Sequence, residues 1–181
     1  MSVLAAQNPA GGRDDWRTPA EVLDRVRELA PIGLDPCTAY DNPTGAAIWA
    51  VAPGAWPDRA MPLSARIDGL KLFWAANCPR GSLVYCNPPY SRGELAAWAG
   101  KCRHESGQGA EVIALLPVDT STQWWHDSCV PSLADAVCFW RGRLTFVGAP
   151  GPASFPSALI YWGSRPNRFA DVFVRVGAIW T

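Results

Sequence analysis

Apolar residues recur at helical spacing directly after Thr18-Pro19: Ala20, Val22, Leu23, Val26 and Leu29 form one stripe, with Asp24 and Arg27 on the polar side. Threonine is a favoured helix N-cap and proline a favoured first helical residue, so the pair predicts a helix starting there and ending at Pro31. Ile32-Gly33-Leu34-Asp35 is a short apolar run closed by an acid and a proline, the pattern of a buried strand arriving at a loop. Ser82 to Cys86 repeats it and stops at Asn87-Pro88-Pro89-Tyr90, after which Leu95, Trp98, Ala99 and Cys102 return at helical spacing. Glu111 to Pro117 is a third such run, followed by the polar loop Asp119-Thr120-Ser121-Thr122 and a short helix from near Gln123. Continuous apolar strands alternating with helices predict an α/β fold with a mainly parallel sheet. Asp135 to Trp140, Ala158 to Trp162 and Val172 to Trp180 are strand-like without a clear helix between them, which predicts an antiparallel C-terminal edge. Tyr40 to about Pro62 is broken by Asn42-Pro43, Gly45, Pro53-Gly54 and Pro57, and is long enough to be a functional loop. Residues 1–14 show no periodicity and are expected to be a flexible leader, leaving 15–181 as a single domain.

Composition narrows the class. A chain of 181 residues suits one domain with a continuous core, and 49% apolar against 18% charged residues excludes a disordered tail protein. No apolar run approaches the roughly 20 residues that span a bilayer, and the first residues lack a basic stretch followed by an apolar one, so no membrane partner and a cytoplasmic location are expected. The six cysteines, scattered through apolar segments without paired spacing, are expected to be reduced and mostly buried; no C-x-x-C pair supports a metal site, and none is expected. The formal charge is zero, but from Val137 onward five arginines (Arg141, Arg143, Arg165, Arg168, Arg175) face one acid, Asp171, which leaves room for a basic face. That asymmetry and the ten tryptophans also admit a non-catalytic nucleic-acid-binding module.

The chemistry concentrates in Asn87-Pro88-Pro89-Tyr90. A conjugated amine has its lone pair delocalised, and two acceptors aimed at its two N–H bonds draw the nitrogen toward tetrahedral geometry. An asparagine oxygen supplies one acceptor and the next main-chain carbonyl the other, which a proline helps to hold in place. Pro89 stiffens the turn, and Tyr90 offers a ring on which a swung-out base can stack. The tetrapeptide follows a strand directly, at the edge where open α/β sheets bind ligands. The same residues also suit a plain turn with a packed tyrosine, and the amine could belong to an adenine in DNA, to RNA or to a glutamine side chain.

Across residues 15–163 the chain resembles the phage-type DNA N6-adenine methyltransferases, a Dam-like family. The likeness rests on Trp16-Arg17-Thr18-Pro19, Leu34-Asp35-Pro36-Cys37, Asp68-Gly69-Leu70 with Trp74, Asn87-Pro88-Pro89-Tyr90-Ser91, Leu115 to Thr122 with Trp124, Arg141-Gly142-Arg143-Leu144 with Phe146, and Phe155-Pro156-Ser157-Ala158, in that order. The resemblance implies a Rossmann-like fold, S-adenosylmethionine as cofactor and double-stranded DNA as partner, possession of the fold being no proof of the activity. It implies catalysis by Asn87, Pro88, Pro89 and Tyr90. For the cofactor it implies Trp16, Thr18, Pro19, Asp35, Pro36, Cys37, Asp68 and Asn87, with Thr18 on the methionine part, Asp35 on its ammonium and Asp68 on the adenine amine. For DNA it implies Ser91, Asp119, Thr120, Ser121, Arg141 and Arg143. The cofactor loop departs from other methyltransferases in having no G-x-G after Asp35. His126 lacks the partner constellation of a general base.

Overall fold

The computed structural model describes residues 16–52, 54, 60–90, 93–130 and 133–181. The leader expected over residues 1–14 lies outside them. Among the described residues eight strands form: β1 (Ile32–Asp35), β2 (Ile48–Val51), β3 (Ala65–Ile67), β4 (Leu83–Cys86), β5 (Val112–Pro117), β6 (Ala136–Trp140), β7 (Ser157–Trp162) and β8 (Gly177–Trp180). They make one sheet in the order β3-β2-β1-β4-β5-β7-β6-β8. The first five are mutually parallel, β7 runs antiparallel to β5 and β6, and β8 closes the edge antiparallel to β6. The expected mainly parallel α/β sheet with an antiparallel C-terminal edge is therefore present. Because β7 opposes both its neighbours, β6 points the same way as β1, β4 and β5, and the loops after all four emerge on one edge.

Burial on both faces explains the unbroken apolar strands. Leu83 and Tyr85 of β4 pack toward α1 (Ala20–Leu29) and α5 (Pro166–Phe173), with Val22, Val26 and Phe169. Val84 and Cys86 pack the opposite way, toward α3 (Glu94–Gly107) and α4 (Gln123–Ser128), with Trp98, Cys102 and Trp125. The strand order climbs 3-2-1 on one side and 4-5 on the other, so it reverses between β1 and β4. That reversal opens a crevice beyond their carboxyl ends, at Asp35 and Asn87.

Three expectations are corrected. The run Val172 to Trp180 is not one strand: Phe169, Val172 and Phe173 bury one stripe of α5, and pairing starts only at Gly177, where a Cβ would come within 2.3 Å of the Phe139 carbonyl. The stretch from Tyr40 to Pro62 is not wholly irregular, since Ile48–Val51 pairs with both β1 and β3; four residues are too few to show a period among so many prolines and glycines. Thr18 does not cap α1. Pro19 occupies the cap position, its carbonyl accepting from Val22 N and Leu23 N, because the Thr18 hydroxyl is engaged elsewhere.

A buried carboxylate holds the short helix α2 (Trp74–Asn77) near the crevice. Glu105 of α3, 1% exposed, accepts hydrogen bonds from Trp74 N (2.8 Å) and Ala75 N (3.2 Å) and pairs with Lys101 Nζ at 2.6 Å. The Trp74 indole in turn donates to the Gly69 carbonyl at 2.8 Å, fixing the loop after β3. Deleting this carboxylate strands two buried N–H groups, so Glu105→Ala is expected to lower the unfolding free energy in urea by about 3 kcal/mol. Glu105→Gln, which still accepts, should lose roughly half as much. Equal losses for the two variants would contradict the capping role.

Candidate active site

Asn87 leaves β4 at the switch point and its carboxamide is held from several sides. The amide nitrogen donates to the Trp16 carbonyl and, at 3.1 Å, to Thr18 Oγ1. The Tyr90 hydroxyl lies 2.7 Å from Asn87 Oδ1 and 3.0 Å from the Leu115 carbonyl. Turning the amide over would set Oδ1 against the Trp16 carbonyl, two acceptors face to face, so its orientation is determined. An amide oxygen has two lone pairs, and Tyr90 occupies one. Tyr90 itself is wedged edge-on against Phe146 and Phe155, with ring centroids 6.1 and 5.5 Å away, and Phe146 also meets Trp16 at 5.3 Å. These phenylalanines lie in the loop between β6 and β7, which a backbone bridge from Val147 to Arg17 ties to the segment before α1. Burial holds the Tyr90 phenol well above its usual range, so it stays a neutral donor.

A cavity of about 470 Å³ opens in front of Asn87, within the range that holds a cofactor-sized ligand. Trp16, Thr18, Asp35, Pro36, Cys37, Asp68, Asn87 and Pro89 line it. Pro19, Pro88 and Tyr90 do not, and Pro19 and Pro88 are buried. Ser91 lies outside the described residues. Asp119, Thr120 and Ser121 follow β5 on the same sheet edge but outside the cavity, with Ser121 Oγ donating to Asp119 at 2.7 Å. Arg141 and Arg143 follow β6 on that edge and are exposed on either side of Gly142, whose φ is 81°. His126 bonds the Thr120 carbonyl at 2.8 Å and is not part of the cavity wall.

The loop after β1 needs no glycine because its acid is braced from within. Asp35 is 3% exposed and accepts from Cys37 N at 3.1 Å and from Thr44 Oγ1 at 2.8 Å. Burial raises its pKa to about 6, the hydrogen bonds opposing, and among the described residues no cationic side chain pairs with it. A desolvated carboxylate on a cavity wall with no ion-pair partner among the described residues fits a cationic ligand group. The glycine appears instead on the facing loop: a Cβ on Gly69 would lie 1.7 Å from the Pro36 carbonyl oxygen, so the two loops touch. Asp68, at φ 61°, extends beside it and pairs with Lys71 at 2.9 Å. Cys37 Sγ lies 3.5 Å from Cys86 Sγ, and all six thiols are free.

Sequence reasoning missed Thr44, Tyr85 and the bidentate pair of Arg17 with Asp41 (2.8 and 3.2 Å) at the rim. Tyr85 did leave a trace, as the one polar group in an otherwise apolar strand.

A family model described as DNA N-6-adenine-methyltransferase (Dam) matches residues 61–154, just over half of the 181. The chain belongs to this family. The match includes Asp68, Asn87 to Tyr90, Asp119 and Arg141 to Phe146, whereas Trp16, Thr18, Asp35 to Cys37 and Thr44 precede it; membership places the chain among DNA adenine methyltransferases in general terms. No curated protein matches. Among solved structures, a precorrin 8W decarboxylase from Methanobacterium thermoautotrophicum aligns at 15% identity and a TM-score of 0.40, over 81% of this chain and 91% of that one.

The Asp35 shift fixes a sign. The folded protein binds this proton more tightly than the unfolded chain, so stability from this group is greatest at low pH and declines as pH rises from about 4 through about 6. Two pKa units correspond to about 3 kcal/mol. Wild type minus Asp35→Asn unfolding free energy should therefore fall by about that amount between pH 4 and pH 7. A difference independent of pH would show that Asp35 is not desolvated.

Proposed function

We propose that this Dam-family chain transfers a methyl group from S-adenosylmethionine to the N6 amine of adenine in double-stranded DNA, at a defined sequence. The oriented Asn87 carboxamide at the mouth of the cavity carries the proposal. Its Oδ1 keeps one lone pair for an N–H of the incoming amine, and the Pro88 carbonyl accepts the other. Together they localise the lone pair of the amine, and because the acceptor is already in place little reorganisation remains at the moment of reaction.

The residues that line the cavity fit the cofactor. Asp35 supplies a buried anion for its ammonium group, Asp68 an acceptor for the polar nucleoside part, and Trp16, Pro36 and Cys37 apolar walls. Thr18 faces the same cavity, but its hydroxyl partners are Asn87 and Tyr85. When bound, S-adenosylmethionine supplies a methyl group on a positively charged sulfur, which provides most of the chemical driving force. Once the amine nitrogen carries the extra charge its proton is acidic, so no dedicated base is needed and His126 has no part. Arg141 and Arg143 serve the DNA backbone, and Asp119, Thr120 and Ser121 meet the DNA along the same edge; Ser91 is assigned to DNA from the family resemblance alone. Tyr90 acts through its hydroxyl on Asn87, and its part-exposed ring, which meets Phe146 and Phe155 in edge contacts, is assigned stacking of the swung-out base.

Labelled methyl groups should appear in N6-methyladenine when DNA is incubated with the protein and digested to nucleosides. Asn87→Ala should lose turnover by about a hundredfold or more, since the acceptor is lost only where the amine reacts, yet still bind S-adenosylmethionine in calorimetry. Label found on RNA or protein instead, or no uptake of the cofactor, would overturn the proposal.

Cofactor affinity should also fall as pH drops through about 6, by up to roughly tenfold per unit, because the ammonium requires the ionised Asp35. The Asp35→Asn variant should bind weakly with no such slope; a wild-type affinity flat from pH 5 to 7 would remove Asp35 from the cofactor site.

A further inference from the structure

Asn87 has a hydrogen-bonding support that runs away from the cavity into the core. Tyr85 stands two residues before it on β4, where alternation turns its ring toward α1 and α5 rather than toward α3. The ring is fully buried among Val22, Val26, Leu83 and Leu115, so its hydroxyl must find a partner inside the protein. That partner is Thr18 Oγ1, at 2.8 Å, and the same Thr18 oxygen accepts from the Asn87 amide nitrogen at 3.1 Å. A threonine hydroxyl has one hydrogen and two lone pairs, so it can serve both neighbours together. This engagement also explains why the Thr18 hydroxyl does not cap α1.

We infer that Tyr85 is a positioning residue for methyl transfer, anchoring the Thr18 hydroxyl so that it holds the Asn87 carboxamide with Oδ1 turned to the substrate amine. The inference rests on the proposed function for what Asn87 does, but not for how it is held. Without the phenol, Thr18 is free to rotate about its Cα–Cβ bond, and the second N–H of Asn87 loses a fixed acceptor. The Trp16 carbonyl still holds the first N–H, so the amide becomes less ordered without being released. Neither Tyr85 nor its hydroxyl reaches the cavity wall, so cofactor and DNA contacts are untouched.

Tyr85→Phe keeps the shape of the ring and removes one O–H. Its kcat is expected to fall about tenfold, the scale of one hydrogen bond on an orienting group, with KM for DNA and the affinity for S-adenosylmethionine within about twofold of wild type. Thr18→Val should lower kcat at least as much, and combining the two should add nothing further, since they break one chain. In nitrogen-15 spectra the Asn87 side-chain amide protons should exchange with solvent faster in Tyr85→Phe than in wild type, a readout that needs no turnover. Should Tyr85→Phe fail to fold, amide exchange and kcat in Thr18→Val test the same hydrogen-bond chain, cofactor affinity being left out because Thr18 also lines the cavity. Unchanged amide exchange, wild-type kcat, or losses that add in the double variant would overturn the inference. Absence of methyl transfer by the wild type, with the amide exchange shifted as expected, would instead overturn the proposed function and leave the positioning of Asn87 standing.

Discussion

The rest of the site depends on the orientation of one primary amide. A free asparagine side chain presents oxygen and nitrogen in either sense, and a catalytic acceptor that is reversed half the time is a donor when an acceptor is needed. Here the ambiguity is removed by groups distant in sequence: the Trp16 carbonyl and Thr18 hydroxyl take the nitrogen, and the Tyr90 hydroxyl meets the oxygen. Each of these is itself fixed. Trp16 packs on Phe146, Thr18 is bonded to Tyr85, and Tyr90 sits between Phe146 and Phe155 with the Leu115 carbonyl behind it.

This explains why the loop between β6 and β7 belongs to the site although the hydrogen bonds that orient Asn87 come from elsewhere. Phe146 joins Trp16 to Tyr90, and the bridge between Arg17 and Val147 keeps the segment before α1 against the sheet edge. The same loop starts at Arg141 and Arg143, so the residues proposed to meet the DNA backbone and the rings that pack against Trp16 and Tyr90 are parts of one short segment. On the cofactor side, the Gly69 to Pro36 contact closes two loops on each other, and Glu105 holds one of them through Trp74. Asp35 is thereby kept out of water, with its pKa raised to about 6 and its charge available to a cation.

Much of this was legible in the sequence because burial leaves simple patterns. β1, β4 and β5 are apolar without interruption since both their faces are covered, and the residues directly after them lie at the ligand-binding edge by topology alone. Asp35 and Asn87 follow from that rule together with the family resemblance, whereas Asp68, which comes after β3, was reached through the resemblance alone. What escaped had its cause in long-range pairing. β2 and β3 are too short to show a period and exist because β1 offers them an edge. Val172 looked like part of a strand because its valine and phenylalanine neighbours suit either element, and only the packing of Phe169 against Phe173 decides for helix. Thr18 looked like a cap because threonine usually is one; its actual partners are 67 and 69 residues away.

The most direct test of the central claim is methylation-sensitive sequencing of DNA from cells expressing this chain or its Asn87→Ala variant. The account predicts N6-methyladenine at one recurring short sequence in the first case and background levels in the second. N6-methyladenine at background in cells that contain folded, cofactor-binding wild-type protein, or equal methylation by the variant, would contradict it.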